Sequence, residues 1–210
     1  MYERFFKRGI DIIGSFLGIV LLSWLYVLIA ILIFISDPGD IFFVQKRIGK
    51  YKVPFSMYKF RSMKMSAPHD VPTHLLQDPE QYITRVGKFL RKSSLDELPQ
   101  IWNIFIGDMS IIGPRPALWN QKDLIAERDN YGVNDVCPGL TGWAQINGRD
   151  ELEITEKARL DGEYTKILKD GGIKAFCFDA RCFFATFLTV VRHDGIIEGG
   201  TGYINRNGSG

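Results

Sequence analysis

Two adjacent carboxylates, Asp96 and Glu97, are the residues whose type and surroundings best suit chemistry in this 210-residue chain. Basic residues surround them along the sequence: Arg85, Lys88, Arg91, Lys92 and Arg115. Cations can hold an anionic substrate while a carboxylate binds a metal or attacks phosphorus, so the cluster suits phosphate chemistry. The same residues also fit a capping box, with Ser94 as the N-cap and Glu97 three positions later.

One arginine lies between two prolines, in the segment Pro114-Arg115-Pro116. Each residue before a proline avoids the helical region, so this segment is extended and stiff. Arginine binds phosphate through two parallel donors, and a fixed backbone lowers the entropy lost on binding. A Pro-x-Pro turn with a solvated arginine is also common.

Other polar residues that could contact a substrate lie in loops rich in glycine. Arg149 follows Gly148, which permits an unusual backbone angle. Asp108 follows Gly107 and is either a supporting carboxylate or a helix cap, while Thr141 and Gln145 could hydrogen-bond a base or a sugar. None of these positions is specific when taken alone.

The elements that must position these side chains begin with an apolar segment. No charged residue occurs from Ile12 to Ile35, a length beyond the about 20 residues that span a bilayer. Cations flank both ends, at Arg4, Lys7 and Arg8 and at Lys46, Arg47, Lys50 and Lys52. The positive-inside rule therefore favours a helix that enters the membrane and returns on the same face, although a straight span stays open.

The rest of the chain predicts an α+β fold dominated by helices, with one small β-hairpin made of Ile41–Val44 and Pro54–Phe60. Helices are predicted at Tyr82–Lys92, from Pro99 to about Gly107, at Ala117–Tyr131, at Glu153–Leu168 and at Phe176–Val191. Residues 137–149 are predicted to form a loop. We expect a membrane-embedded helix over residues 1–38, a catalytic domain on the cytosolic face over 39–200, and a disordered tail over 201–210.

Composition narrows the classes of partner. The net charge is +2, but the cations between residues 46 and 64 have no acidic residue among them, so this stretch could face lipid headgroups, a nucleotide or solvent. Nucleic acid is a poor fit, because no binding motif is present. The three cysteines are predicted to be reduced, buried thiols, and neither they nor the three histidines predict a zinc site.

Five motifs in series resemble the bacterial sugar transferase family, the small monotopic phosphoglycosyl transferases. They are Tyr58–Met63, Ser94–Gln100, Gly107–Ser110, Gly113–Pro116 and Pro138–Arg149. The resemblance extends from the N-terminus to about residue 195 and includes Arg4–Arg8 and Ile41–Gly49. One position departs from the family pattern: the Ser-Pro pair that breaks the membrane helix is here Ser23-Trp24, which puts the break in doubt.

The resemblance implies transfer of a sugar-1-phosphate from a UDP-sugar to polyprenyl phosphate at the bacterial inner membrane, with release of UMP. Asp96 would be the nucleophile that forms a phosphosugar-aspartyl intermediate, and Asp96 and Glu97 would hold Mg²⁺. Candidate substrate-binding residues are Lys59, Arg61, Arg91, Asp108, Pro114, Arg115, Pro116, Thr141, Gln145 and Arg149. An ordinary glycosyltransferase that releases UDP and a non-catalytic nucleotide-sugar scaffold are the alternatives.

Several properties stay open from the sequence. It does not identify the sugar or the polyprenol length. It also does not identify the pathway, which could be that of capsule, O-antigen, exopolysaccharide or protein glycosylation. The apolar last helix makes a homodimer an expectation to test, because that helix could bury in the core, lie on the membrane or pack on a second copy.

Overall fold

The computed structural model describes residues 2–68, 79–148 and 152–192. Arg149, the three histidines and the 201–210 tail lie outside these ranges. The helices are α1 (Arg8–Ser36), α2 (Arg85–Lys92), α3 (Gln100–Ile106), α4 (Lys122–Asp129), α5 (Trp143–Ile146), α6 (Ile154–Asp170) and α7 (Gly172–Arg192). The strands are β1 (Phe42–Ile48), β2 (Pro54–Phe60), β3 (Ser110–Ile112) and β4 (Gly139–Thr141).

The prediction of a helix-dominated α+β fold is confirmed. Strands β1 and β2 pair antiparallel, from Phe42 opposite Phe60 to Ile48 opposite Pro54, and a 3₁₀ turn at Lys50–Lys52 joins them. Strands β3 and β4 form a second, parallel pair that the sequence did not predict. Residues 137–149 were predicted to be a loop, and that was wrong: β4 and α5 lie there. Strand β4 and helix α5 are too short to show a periodic pattern of apolar residues. Strand β4 forms only because β3 supplies its partner.

Helix α1 is long and apolar enough to cross a membrane, and the qualifying segment extends from Phe5 to Ser36. Most of its surface is unpaired with protein: Leu21, Trp24 and Ile35 are 67, 64 and 73% exposed. Water does not favour such exposure on a helix with no polar face. The helix is therefore a candidate for membrane insertion. It is continuous through Ser23 and Trp24.

One stripe of α1 packs on the rest of the fold. Two glycines allow the close approach, because a Cβ at Gly14 would lie 3.0 Å from the side chain of Ile111 and one at Gly18 would lie 3.5 Å from that of Ile101. The Asp11 carboxylate accepts a hydrogen bond from the Ile111 amide at 2.9 Å. These contacts connect the start of α1 to β3 and α3.

Arginine and aspartate side chains fasten both ends of α1. The Arg8 guanidinium donates to the carbonyl oxygens of Ile104 and Phe105, at 2.6 and 2.8 Å, and so satisfies the C-terminal end of α3. At the other end, the Asp37 carboxylate binds the Arg61 guanidinium at 3.1 Å. Both ends of the apolar helix are thus held by the same folded body.

The helix predicted over Ala117–Tyr131 begins later, at Lys122. The first residues of that segment continue the hairpin instead: the Ile48 amide donates to the Ala117 carbonyl at 2.9 Å, and Arg47 pairs with Leu118 in an antiparallel bridge. The edge of a strand has unpaired backbone groups. Here the edge of β1 forms hydrogen bonds with the residues that follow Pro116.

The prediction of reduced, buried thiols is correct only in part. All three cysteines are free, and Cys182 is buried between α7 and the core, but Cys177 is exposed on α7 and Cys137 is intermediate. The apolar character of α7 hid this difference, because its outer face also carries large apolar residues: Ile173, Phe184 and Leu188 are 76, 68 and 60% exposed.

Candidate functional site

The two carboxylates lie on a 3₁₀ turn, Leu95–Glu97, between α2 and α3. Ser94, the residue before the turn, has φ +56°, a left-handed conformation that costs energy for any residue with a Cβ. Its side chain makes no capping hydrogen bond. The capping-box interpretation is therefore wrong, because the Glu97 carboxylate is engaged elsewhere.

Glu97 is paired with two cations from distant parts of the chain. Its Oε1 accepts hydrogen bonds from Lys59 Nζ at 2.9 Å and from an Arg115 terminal nitrogen at 2.6 Å. The other Arg115 terminal nitrogen donates to Oε2 at 3.3 Å. The side chains of Lys59, Glu97 and Arg115 are 16, 11 and 25% exposed, so solvent screens this cluster less than a surface ion pair.

Asp96 is buried beside the same lysine, with Lys59 Nζ 3.9 Å from its Oδ2. Burial raises the pKa of the Asp96 carboxyl above its ordinary value, because a charged group loses hydration there. Lys59 lowers this pKa, and the neighbouring Glu97 charge raises it. The arrangement gives a carboxylate with few water contacts and a cation within reach, which suits a nucleophile.

Arg91 approaches the dyad from α2, and Ser62 orients it. The Arg91 Nε donates to the Ser62 hydroxyl at 2.8 Å. The helix lies close to the chain that follows β2, since a Cβ at Gly87 would be 1.8 Å from the Ser62 carbonyl oxygen. Thr84 caps α2 by accepting the Gly87 amide proton at 2.8 Å. The position of Arg91 thus depends on Gly87, which lets α2 approach, and on the Ser62 hydroxyl, which binds the guanidinium. The Thr84 cap fixes the start of α2.

Asn103 locks β2, the strand that carries Lys59, onto α3. Its side-chain amide donates to the Ser56 carbonyl at 2.7 Å, and its carbonyl accepts the Tyr58 amide proton at 3.1 Å. The residue is fully buried. A buried amide that satisfies two backbone groups fixes the register between a strand and a helix. Lys59 and the carboxylates are therefore held in one rigid frame.

The Pro114-Arg115-Pro116 segment is held from both sides. The Pro114 carbonyl accepts the Gly139 amide proton at 2.9 Å, and the Pro116 carbonyl accepts a hydrogen bond from the Arg47 guanidinium at 3.0 Å. Gly139 is required for the first contact, because a Cβ there would lie 2.1 Å from the Gly113 nitrogen. This frame directs Arg115 toward Glu97.

The predicted site residues fall into two groups. Lys59, Arg91 and Arg115 surround the dyad. Arg61 instead binds Asp37, and Asp108 lies past the far end of α3, where its carboxylate accepts from Asn103 at 3.2 Å.

Two more predicted substrate contacts face the protein interior. The Thr141 hydroxyl lies 2.8 Å from the Thr186 hydroxyl, and the Gln145 amide donates to the Leu140 carbonyl at 3.1 Å. Both side chains are buried. Arg149 lies outside the described residues.

The dyad can be tested for fit to a metal ion by its donor set. Within residues 2–68, 79–148 and 152–192, no group of three or more His, Cys, Asp or Glu residues could hold one. Mg²⁺ does not need such a group: it commonly binds one or two carboxylates and completes its shell with substrate phosphate oxygens and water. Asp96 and Glu97 provide those two carboxylates, so the residues present fit Mg²⁺ bound together with a diphosphate.

Sequence reasoning missed three residues that shape the site: Tyr26, Ser62 and Asn103. The Tyr26 hydroxyl on α1 donates to the Leu98 carbonyl at 2.5 Å, immediately after the dyad. Asn103 carried a signal, since it is a lone amide inside the apolar run Ile101–Ile106. Ser62 lies within the motif Tyr58–Met63, where the neighbouring charged residues drew the prediction, and Tyr26 lies within an apolar run.

The chain is similar in sequence to known bacterial sugar transferases. The family model described as bacterial sugar transferase matches residues 2–193. UDP-glucose:undecaprenyl-phosphate glucose-1-phosphate transferase of Escherichia coli K12 is 41% identical over 171 residues, which are 78% of this chain and 37% of that protein. UDP-N-acetylgalactosamine-undecaprenyl-phosphate N-acetylgalactosaminephosphotransferase of Aeromonas hydrophila is 42% identical over 148 residues, 68% of this chain and 34% of that protein.

A shorter relative has a length closer to that of this chain. The uncharacterized sugar transferase EpsL of Bacillus subtilis 168 is 41% identical over 158 residues, 75% of this chain and 76% of that protein. The chain thus spans about a third of the first two relatives and three quarters of EpsL. The matched region holds the dyad, its cations and α1. The chain belongs to the bacterial sugar transferase family.

Proposed function

We propose that this protein transfers a sugar-1-phosphate from a UDP-sugar to a polyprenyl phosphate, with Asp96 as the nucleophile. The observation that carries the proposal is the buried Asp96 carboxylate 3.9 Å from Lys59, with Arg115 in the same cluster. The names of the E. coli and A. hydrophila relatives, which act on undecaprenyl phosphate, support this class of reaction.

In the first half-reaction, an Asp96 oxygen attacks the sugar-bearing phosphorus of the donor. The bond from that phosphorus to the bridging oxygen breaks, and UMP leaves with the electron pair. A carboxylate and a diphosphate repel each other, so the approach needs nearby cations. Lys59, Arg91 and Arg115 supply three positive charges on rigid elements, where orientation lowers the barrier.

In the second half-reaction, an oxygen of the polyprenyl phosphate attacks the same phosphorus and releases the Asp96 carboxylate. The product is a polyprenyl diphosphate sugar. A covalent intermediate lets one small site serve two very different substrates in turn. The apolar helix α1 contacts the turn that carries the dyad, which would keep the site beside the lipid headgroups where the acceptor phosphate lies.

Mg²⁺ is proposed as the metal, held by Asp96 and Glu97. When bound, it would supply charge neutralisation for the donor diphosphate and its leaving group. The two carboxylates lie on consecutive residues of one turn, and both lie near Lys59 Nζ, at 3.9 and 2.9 Å.

We propose that α1 enters and leaves the membrane on the cytoplasmic face, a path that requires a bend which the continuous helix of the structure does not contain. The fastening of both its ends to one folded body supports this path, because a straight span would place part of that polar body across the bilayer. Cysteines introduced at exposed positions near each end would both react with an impermeant maleimide in vesicles of one orientation. Labelling of only one end would reject this topology.

The reaction can be tested with purified protein in nanodiscs, a panel of UDP-sugars, Mg²⁺ and undecaprenyl phosphate, with UMP and UDP measured separately. We expect UMP from the wild type and none from Asp96→Asn. Asp129→Asn removes an exposed carboxylate that pairs with Lys52 and is the matched control. It should keep full activity.

The outcomes separate the alternatives. UDP as the direct product would indicate an ordinary glycosyltransferase. Binding of UDP-sugar without release of either nucleotide would indicate a scaffold. In both cases the assignment of Asp96 as nucleophile would be wrong.

A further inference from the structure

Glu97 occupies the donors that a phosphate group would use. Arg115 directs both terminal nitrogens at this one carboxylate, at 2.6 and 3.3 Å, and Lys59 adds a third donor at 2.9 Å. This fork is also the geometry by which arginine binds phosphate. These two cations are therefore already paired with a carboxylate of the protein itself.

The pairing is protected from solvent. None of the three side chains is more than a quarter exposed, and a cation left unpaired at such a position would lose hydration without compensation. A carboxylate paired with Lys59 and Arg115 therefore stabilises the protein when no substrate is bound.

A diphosphate that used these same donors would meet the Glu97 carboxylate there, and like charges at such short range repel strongly. Asp96 does not have this conflict to the same degree, because Lys59 Nζ lies 3.9 Å from its Oδ2, beyond hydrogen-bond distance. The two carboxylates of the dyad therefore have different tasks.

We propose that Glu97 is an internal counter-anion, which pairs with Lys59 and Arg115 in the free protein and gives them up to the diphosphate of the donor. The proposal rests on the function proposed above, because that function supplies a diphosphate ligand. It makes Glu97 a positioning residue in the free state, in addition to any contact with metal.

This exchange has a measurable cost. Displacing Glu97 offsets part of the attraction between the cations and a diphosphate. The wild-type protein therefore binds a diphosphate more weakly than a protein with the same cations and no Glu97 charge. Removal of the Glu97 charge should therefore tighten binding. If Glu97 served only to hold the cations in place, its removal would weaken binding instead.

The test is calorimetric titration of the full chain in nanodiscs with inorganic pyrophosphate, in buffer freed of divalent metal. We expect Glu97→Gln to bind pyrophosphate about tenfold more tightly than the wild type. Glu97→Ala, which also removes the charge, should change the affinity in the same direction. Glu156→Gln removes an exposed carboxylate paired with Arg159 and should leave the affinity unchanged.

A double-mutant cycle adds a second readout. In the wild type, Lys59→Gln should weaken pyrophosphate binding only slightly, because the lysine is already paired with Glu97. In the Glu97→Gln background the same change should cost more, since the lysine is then available to the ligand. Equal costs in the two backgrounds, or weaker binding by both Glu97 variants, would overturn the counter-anion role.

The nucleotide assay keeps this inference separate from the proposed function. UMP release by the wild type together with no tightening in Glu97→Gln would reject the counter-anion role and leave the reaction in place. Tighter pyrophosphate binding by Glu97→Gln with no UMP release by the wild type would reject the reaction and retain the counter-anion role.

Discussion

Tyr26, on the apolar helix α1, donates its hydroxyl hydrogen bond to the carbonyl oxygen of Leu98 at a distance of 2.5 Å. Its ring also packs on Phe60, with ring centroids 5.3 Å apart. Leu98 follows Glu97 in the chain, and Phe60 follows Lys59. A single tyrosine of the apolar helix thus contacts both chain segments that meet in the Lys59–Glu97 ion pair, so α1 is part of the scaffold of the site.

The first prediction concerns this contact. Tyr26→Phe keeps the ring packing but removes a partly buried hydrogen bond worth about 1 kcal/mol. We expect turnover to fall by about tenfold through misplacement of the dyad, with little change in the Michaelis constant for the donor. Steady-state kinetics in nanodiscs measure both.

The control for Tyr26 lies on the same helix. Ser23→Ala removes a hydroxyl that bonds only to the Val20 carbonyl within α1 and is exposed, so it should leave turnover unchanged. Full turnover in Tyr26→Phe would show that the hydroxyl contributes nothing to the dyad geometry.

The sequence predicted which charged residues lie together better than it predicted which residues hold them in place. The dyad does lie beside the predicted cations Lys59, Arg91 and Arg115. Each of these charged residues belongs to a short motif, so its charge could be recognised from the sequence. Tyr26 lies within an apolar run, where an aromatic residue has no distinct pattern. Its role depends on which face of α1 meets α3, and only packing decides that.

Local patterns also failed where tertiary contacts compete. Ser94 and Glu97 have capping-box spacing, but Glu97 gains more from two cations than from one backbone amide. Arg61 lies in a motif with Lys59, and residues two apart along a strand face the same side. Arg61 binds Asp37 instead, because it lies beyond the end of β2.

The second prediction tests the close contact between the arginine loop and β4. Gly139→Ala would place a Cβ 2.1 Å from the Gly113 nitrogen, against backbone that cannot rotate away. We expect a loss of about 3 kcal/mol in the free energy of unfolding, with weaker donor binding because Arg115 shifts. Gly9→Ala is the control, since a Cβ there meets nothing within 4 Å. Equal stability of the two variants would contradict this packing.

The third prediction separates a buried ion pair from an exposed one. Arg128 on α4 donates to Asp161 on α6 at 3.0 and 2.5 Å, and both side chains are buried. Asp161→Asn leaves the guanidinium without its countercharge and should cost about 3 to 5 kcal/mol of unfolding free energy. The exposed pair of Lys52 and Asp129 should cost about 1 kcal/mol or less when broken by Asp129→Asn.

Denaturant unfolding monitored by tryptophan fluorescence measures both pairs. A double variant, Arg128→Met with Asp161→Leu, should recover part of the loss, because no buried charge remains. A double variant less stable than Asp161→Asn would show that the pair stabilises the α4–α6 contact beyond the cost of an orphaned charge.

The fourth prediction concerns the three thiols and pH. Burial raises the pKa of Cys137 to about 11 and that of Cys182 to about 12. The thiolate is the reacting form, so raised pKa values suppress reaction below these pH values. Cys177 is exposed on α7. At pH 8 in detergent, a maleimide should therefore modify one thiol rapidly, and Cys177→Ser should abolish that fast phase.

Raising the pH should bring the other thiols into reaction in a fixed order, Cys137 before Cys182, as each thiolate forms. Denaturation at pH 8 should instead expose all three at once, because burial is the cause of both shifts. Mass spectrometry of labelled peptides assigns each site. Slow labelling of Cys177 in detergent, with rapid labelling after denaturation, would mean that its face of α7 is covered, and crosslinking through that thiol would then show whether a second copy covers it.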